Sequence, residues 1–235
     1  PPHARFTRVL GADAIDSRDV KPGTAFFALP GAKTDGNRFA RQAAASGAVA
    51  VVSELAAPPA PMELTGPRGL VAWVQVPDAA AAMAQAASAF YGDPPASLTA
   101  VGITGTNGKT TVSYLLEAAA TRAGKTVGVV GTTGHRLRGR FIEEAKNTTP
   151  LSADLMRLLA RMREAGANFA AMEVSSHALA LKRADGVRFD AAILTNLHSA
   201  HLAYPGTREA YLEAKARLFT LLERPDALKP GRSRS

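Results

Sequence analysis

Residues 99–111 read Thr99-Ala-Val-Gly-Ile-Thr-Gly-Thr-Asn-Gly-Lys-Thr-Thr111, and this stretch decides the fold. Thr99 to Ile103 is a short β-prone run, and Thr110 to Arg122 reads as a helix closed by Gly124. A strand, a glycine-bearing turn and a helix in succession aim backbone N–H groups and a helix N-terminus at one point, which favours phosphate. Gly105 and Gly108 let the backbone close around phosphate oxygens. Lys109 can reach the β and γ phosphates of a nucleotide, and the Thr110 hydroxyl can bind Mg²⁺. The candidate nucleotide-binding residues are therefore Gly105, Thr106, Asn107, Gly108, Lys109, Thr110 and Thr111. The strict Gly-x4-Gly-Lys-Ser/Thr spacing fails at one position, because Ile103 stands where the first glycine would be. The plainer alternative is a glycine-rich turn with an exposed lysine.

Downstream of the loop the pattern is that of a doubly wound, mostly parallel sheet. Thr126 to Val130 is expected to be a strand, and Ser152 to cap a helix that carries Leu155, Leu158, Leu159 and Met162 on one face and ends at Gly166. Phe169 to Val174 and Phe189 to Leu194, apolar but for Glu173 and Asp190, are strands of the kind parallel sheets bury, and Ala210 to about Leu222 is a last helix. Polar residues follow four strands directly, at Thr104-Gly105, Gly131-Thr132, Ser175-Ser176 and Thr195-Asn196. Ligands of open α/β sheets bind at the carboxyl ends of strands, so these tips should converge.

Upstream, Ala25 to Leu29, Ala48 to Val52 and Leu70 to Val76 read as strands, with helices over Arg38 to Ser46 and from Asp78 to about Phe90. Gly92-Asp93-Pro94-Pro95 breaks the second of these helices and sets the expected domain boundary, 1–93 against 94–235. The fold class is thus α/β: a small N-terminal α/β domain, then a doubly wound, mostly parallel-sheet domain with a phosphate loop.

Of 235 residues, 46% are hydrophobic and 20% charged, which disfavours wholesale disorder. Cysteine is absent, which excludes disulfides and thiolate metal sites and fits a reducing, cytoplasmic setting. No apolar run approaches the ~20 residues of a membrane span, and the first residues lack the apolar core of a signal peptide. The net charge of +8 lies entirely after residue 95: the first 95 residues hold eight basic and eight acidic side chains, the rest twenty and twelve. Aromatics make up only 6% and are not interleaved with the basic residues, so a small phosphorylated ligand is favoured over nucleic acid. Arg136, Arg138 and Arg140 are expected to form a solvated hairpin.

The variant phosphate loop resembles that of the Mur ligases, which build the peptidoglycan precursor, and of folylpolyglutamate synthetases. Asp16-Ser17-Arg18, Pro22-Gly-Thr-Ala-Phe-Phe-Ala-Leu-Pro-Gly31 and Asp35-Gly36 resemble the N-terminal uridine-nucleotide domain of the Mur family. Asn147-Thr148-Thr149-Pro150, Met172-Glu-Val-Ser-Ser-His-Ala-Leu179, Thr195-Asn196-Leu197, His201 and Tyr211-Leu-Glu-Ala-Lys215 resemble its tripeptide synthetase subgroup. The resemblance implies an ATP-dependent ligase that adds a third residue, a diamino acid, to UDP-N-acetylmuramoyl-L-alanyl-D-glutamate through an acyl phosphate. It implies a monomer with ATP and Mg²⁺ as cofactors. Lys109, Glu173, His201 and Lys215 would be the catalytic set. Thr110 and Glu173 would hold one Mg²⁺, and His201 with a carbamylated Lys215 a second. Ile15, Ser17, Ala32, Lys33 and Thr34 would meet the uridine diphosphate end, and Asn147, Thr148, Thr149, Ser175 and Arg183 the muramyl-dipeptide side.

Each residue also has a plainer reading. Glu173 could serve a structural ion pair, His201 lie on a surface loop, Lys215 sit on a solvated helix face, and Asn147 to Pro150 be a turn entering a helix. His177 is read as a cap or packing group. The sequence departs from the family at Ala200, Ala203 and Pro205, where acidic residues and a second histidine are usual, and at Leu181, where glutamine is. Against that family the chain is expected to be a truncated form, with the central domain incomplete and the C-terminal ligase domain absent, and its own turnover is left open. A non-catalytic binder of UDP-muramyl dipeptide and ATP, or a folylpolyglutamate synthetase-like ligase, is the alternative. The third amino acid is not legible here.

Overall fold

The computed structural model describes residues 20–30, 34–58, 64–197 and 207–223. It divides into two compact units, residues 1–86 and 87–235. In the first, β1 (Ala25–Phe27), β2 (Ala50–Ser53) and β5 (Ala72–Gln75) form a parallel sheet in the order β1-β2-β5. Helix α1 (Ala40–Ala45) follows a 3-10 turn over Gly36–Phe39 and packs Ala40, Ala43 and Ala44 against Phe26 and Val51. The expected strand from Leu70 to Val76 is split. Leu70 belongs to a two-residue hairpin, β3 (Thr65–Gly66) with β4 (Gly69–Leu70), and is exposed, while β5 starts only at Ala72. The division between units falls inside α2 (Ala79–Phe90), whose Ala81 N–H donates to the Asp78 carboxylate as the sequence suggests.

The second unit is built on a six-stranded sheet in the order β11-β6-β10-β7-β8-β9. β6 (Thr99–Thr104), β7 (Val127–Val130), β10 (Phe169–Glu173) and β11 (Ala191–Leu194) are parallel, and β8 (His135–Leu137) and β9 (Arg140–Glu143) add an antiparallel hairpin. Strand alternation supplies two cores. Ala100, Val130, Ala170 and Met172 pack with Leu155, Leu158 and Leu159 of α4 (Ser152–Glu164), Leu179 of α5 (Ser176–Ala180) and Leu218 of α6 (Arg208–Glu223). Ile103, Val127, Val129 and Ala171 pack with Val112, Leu116 and Ala120 of α3 (Lys109–Arg122). Helices on both faces are what continuous apolar strands require. Among the described residues, no helix is long and apolar enough to cross a membrane.

Three expectations change here. Ser152 is the first helical residue rather than the cap: Leu151 occupies the cap position without a side-chain bond, and the Ser152 hydroxyl donates to the Arg183 carbonyl at 3.2 Å. The run Phe189 to Leu194 is a strand only from Ala191, and it is the sheet's edge, with Ala191 and Leu194 exposed. The arginine hairpin forms, but Arg136 is not solvated. It is 7% exposed, donates through Nε and Nη2 to Glu117 Oε2 (3.1 and 2.7 Å), and lies 3.5 Å from the centre of the Tyr114 ring.

Candidate functional site

Strand order determines which tips meet. β6 lies between β11 and β10, and β7 flanks β10, so the polar residues after all four strands gather at one sheet end. The loop Gly105 to Gly108 leaves β6 and enters α3. Gly105 has φ 144°, and a Cβ on it would collide with Thr195 Oγ1, so the position demands glycine both for conformation and for space. The tip of β11 holds the loop: Thr106 N–H donates to the Asn196 carbonyl (3.1 Å), and Thr195 Oγ1 donates to the Asn107 carbonyl (2.6 Å). Lys109 Nζ folds back onto the loop, donating to the carbonyls of Gly105 and Thr106 at 3.0 and 3.1 Å. Its pKa lies below the ordinary lysine value, chiefly from burial and then from the Lys215 charge, with Glu173 opposing.

Glu173, at the end of β10, is 1% exposed. Its carboxylate accepts from Thr110 Oγ1 (3.1 Å), from Thr132 N–H (3.2 Å) and from Thr132 Oγ1 (2.9 Å). These donors are neutral, and among the described residues no cation pairs with it. A buried carboxylate held directly by neutral donors alone is costly. A carboxylate oxygen beside a hydroxyl oxygen at the mouth of a phosphate loop is the donor set that a hard cation such as Mg²⁺ takes, so the residues fit that ion.

Lys215 on α6 is 3% exposed, not on a solvated face. Its ammonium lies 4.5 Å from the centre of the Tyr211 ring, and burial lowers its pKa to about 8. The Tyr211 hydroxyl is 3.1 Å from Thr106 Oγ1, which joins α6 to the phosphate loop.

On the other flank, the Thr149 hydroxyl donates to the Glu173 carbonyl (2.9 Å) and accepts from Ser175 N–H (3.1 Å), so it is consumed within the protein. Ser175 Oγ caps α5 by accepting from Ala178 N–H, and Thr148 Oγ1 lies 3.1 Å from Thr132 Oγ1. Arg183 Nη1 donates to the Thr149 carbonyl (3.3 Å), while its Nε is buried without an acceptor. Asn147 and Thr34 are exposed. Ile15, Ser17, Ala32, Lys33 and His201, with Ala200, Ala203 and Pro205, lie outside the described residues. The described residues thus bring together Lys109, Thr110, Glu173 and Lys215 on one side, and Thr148, Thr149, Ser175 and Arg183 on the other. Among the described residues, no group of three or more His, Cys, Asp or Glu side chains could hold a metal, so such an ion would rely on Thr110 as well as on carboxylate.

Comparison with known proteins decides the family. The profile described as Mur ligase middle domain matches residues 103–228, and that described as Mur ligase family, catalytic domain, matches residues 14–91. The chain belongs to the Mur ligase family. It is 48% identical over 218 residues to the UDP-N-acetylmuramoyl-L-alanyl-D-glutamate–2,6-diaminopimelate ligase of Geobacter metallireducens, covering 93% of this chain and 41% of that one. The ligase of the same name from Geobacter sulfurreducens is 44% identical over 228 residues, covering 97% and 43%. A solved structure of a ligase of that name superposes with a TM-score of 0.74 at 35% identity over 89% of this chain and 41% of the other. The chain therefore spans about two fifths of the length of these Mur ligases.

Thr132, Asn196 and Tyr211 make the connections within this Mur ligase site, yet from sequence alone they stand only as strand tips or members of family-like segments, with no site role. Their signal was present: two follow strands directly, and Tyr211 opens the segment that ends in Lys215.

Proposed function

We propose that the chain carries the nucleotide and UDP-sugar parts of an ATP-dependent amide-forming ligase that adds the third residue to UDP-N-acetylmuramoyl-L-alanyl-D-glutamate in the cytoplasm, where ATP is available. The observation that carries this reading is the Glu173–Thr110 pair beside Lys109: a buried carboxylate with only neutral donors, against a hydroxyl at the start of the helix that follows the phosphate loop. The names of the related ligases support diaminopimelate as the acceptor.

In this reading a substrate carboxylate attacks the γ-phosphorus of ATP, ADP leaves, and an acyl phosphate forms. The acceptor amine then adds to the acyl carbon, loses a proton, and inorganic phosphate departs as the amide forms. Phosphoryl transfer is mostly positioning and charge neutralisation. Lys109 swings from the Gly105 and Thr106 carbonyls to the phosphates. Thr110 and Glu173 would hold one Mg²⁺, and Lys215 as a carbamate with His201 would hold a second. Bound magnesium supplies charge neutralisation at the phosphates. A lysine with a pKa of about 8 keeps a usable neutral fraction for reaction with CO₂, which supports the carbamate. The half-buried Arg183 guanidinium beside Thr149 supports a contact with a substrate carboxylate. Ser17, Ile15 and the Ala32-Lys33-Thr34 turn would meet the uridine diphosphate.

Calorimetric titration of the chain with MgATP and with UDP-muramyl dipeptide tests the reading. Saturable binding of both is expected. Binding of neither overturns it, and binding of MgATP alone removes the sugar-nucleotide half.

A further inference from the structure

Glu173 sits in a notch made by two consecutive residues of the β7 tip. A Cβ on Gly131 would collide with Glu173 Oε1, so the carboxylate occupies space that only glycine leaves. Thr132 then holds both oxygens, its N–H on Oε1 and its hydroxyl on Oε2. A hydroxyl has one proton. The same Thr132 hydroxyl also has Thr148 Oγ1 as an acceptor, at 3.1 Å, so its single proton serves either Glu173 or Thr148. Thr132 is therefore a shared donor between Thr148 and Glu173, and Thr110 reaches the same Oε2 from the nucleotide side. Thr132 is itself exposed, so the relay lies open to a ligand.

We propose that Thr132 is a positioning residue that couples the 147–150 loop to the metal-binding carboxylate, so that occupancy of one side alters affinity on the other. This rests on the reading of Glu173 as a magnesium ligand and of Thr148 as a substrate contact. A ligand group that donates to Thr148 Oγ1 displaces Thr132 from it and leaves the Thr132 proton to Glu173, whereas one that draws Thr148 away does the same by removing the competing acceptor. Coupling of this kind is reciprocal, and typical couplings are ~5–150-fold.

The test is calorimetry on the full chain, measuring MgADP affinity with and without saturating UDP-muramyl dipeptide. The wild-type chain is expected to show a ratio of at least ~5. Thr132→Val keeps the backbone N–H and the side-chain shape, and should bring the ratio to about 1. Thr132→Ser should restore it. A merely structural role would shift both affinities in Thr132→Val and leave the ratio unchanged, which would overturn the proposal, as would a wild-type ratio of 1. Glu173→Gln separates the two levels: if it leaves the magnesium dependence of ADP binding intact, the metal reading fails. If it abolishes that dependence while Thr132→Val retains the ratio, the relay alone fails.

Discussion

The side-chain amide of Asn196 pairs with the main-chain amide of Asn107 at both ends. Asn107 N–H donates to Asn196 Oδ1 at 3.0 Å, and Asn196 Nδ2 donates to the Asn107 carbonyl at 3.1 Å. With the Thr106 N–H also given to Asn196, two loop donors are spent on the β11 tip. The donors left for phosphate include those that open α3, at Gly108, Lys109, Thr110 and Thr111, which have no intrahelical acceptor. The β11 tip thus fixes the shape of the loop and leaves the helix N-terminus to the anion.

Replacing Asn196 should therefore weaken nucleotide binding without touching a nucleotide. Asn196→Ala removes two hydrogen bonds worth ~0.5–1.5 kcal/mol each. A loss of MgADP affinity of about 1–3 kcal/mol is expected by calorimetry. Asn196→Asp should do worse, because it sets a carboxylate oxygen against the Asn107 carbonyl. Wild-type affinity in both variants would show that the clamp does not shape the loop.

Gly105→Ala meets two penalties, a positive φ and the Thr195 hydroxyl. Backbone strain alone costs ~1–3 kcal/mol. Urea unfolding of Gly105→Ala, Thr195→Ala and the double variant should show Thr195→Ala costing less in the alanine background, because it relieves the collision. Strict additivity would mean that the two residues do not meet.

Lys215 gives a pH signature. Its pKa is about 8 in the folded chain against an ordinary 10.5, so between those values the unfolded chain binds more protons. Stability should then rise as pH increases from about 8 to 10.5, and the penalty is fully present below 8. Lys215→Met removes the buried ammonium, so it should be more stable than wild type at pH 7, with the difference shrinking toward pH 10. Urea midpoints across this range check the sign; a difference independent of pH would contradict it.

The Arg136–Glu117 pair is buried, with side chains 8% and 11% exposed. Removing one partner of such a pair costs ~3–5 kcal/mol, whereas replacing both by apolar groups is often neutral. Arg136→Met should lower stability by about that amount, and Arg136→Met with Glu117→Leu should recover most of it. Equal losses in the single and double variants would exclude the pair as the cause.

The phosphate loop, the alternating strands and the polar strand tips were legible because each depends on local spacing. What was not legible depends on which elements become neighbours. Arg136 looks like its neighbours Arg138 and Arg140, and only the packing of β8 beside α3 selects it for burial. Thr132 and Asn196 were visible as strand tips, but their partners, Glu173 and Asn107, follow from the order β11-β6-β10-β7, which no local pattern encodes. Ser152 offered good capping chemistry, yet the Arg183 carbonyl, 31 residues away, took its hydroxyl. Lys215 sits among Glu213 and Arg217 and reads as solvated until Tyr211 covers it.

The central claim is that Lys109 and its loop bind the phosphates of a magnesium nucleotide, and Lys109→Ala tests it most directly. Lys109 brings a full charge to the phosphates, and charge-assisted contacts are the strong ones. Titration of the variant should show MgATP binding lost and UDP-muramyl dipeptide binding retained. MgATP affinity equal to that of the wild-type chain would contradict the phosphate-loop assignment and the function proposed from it.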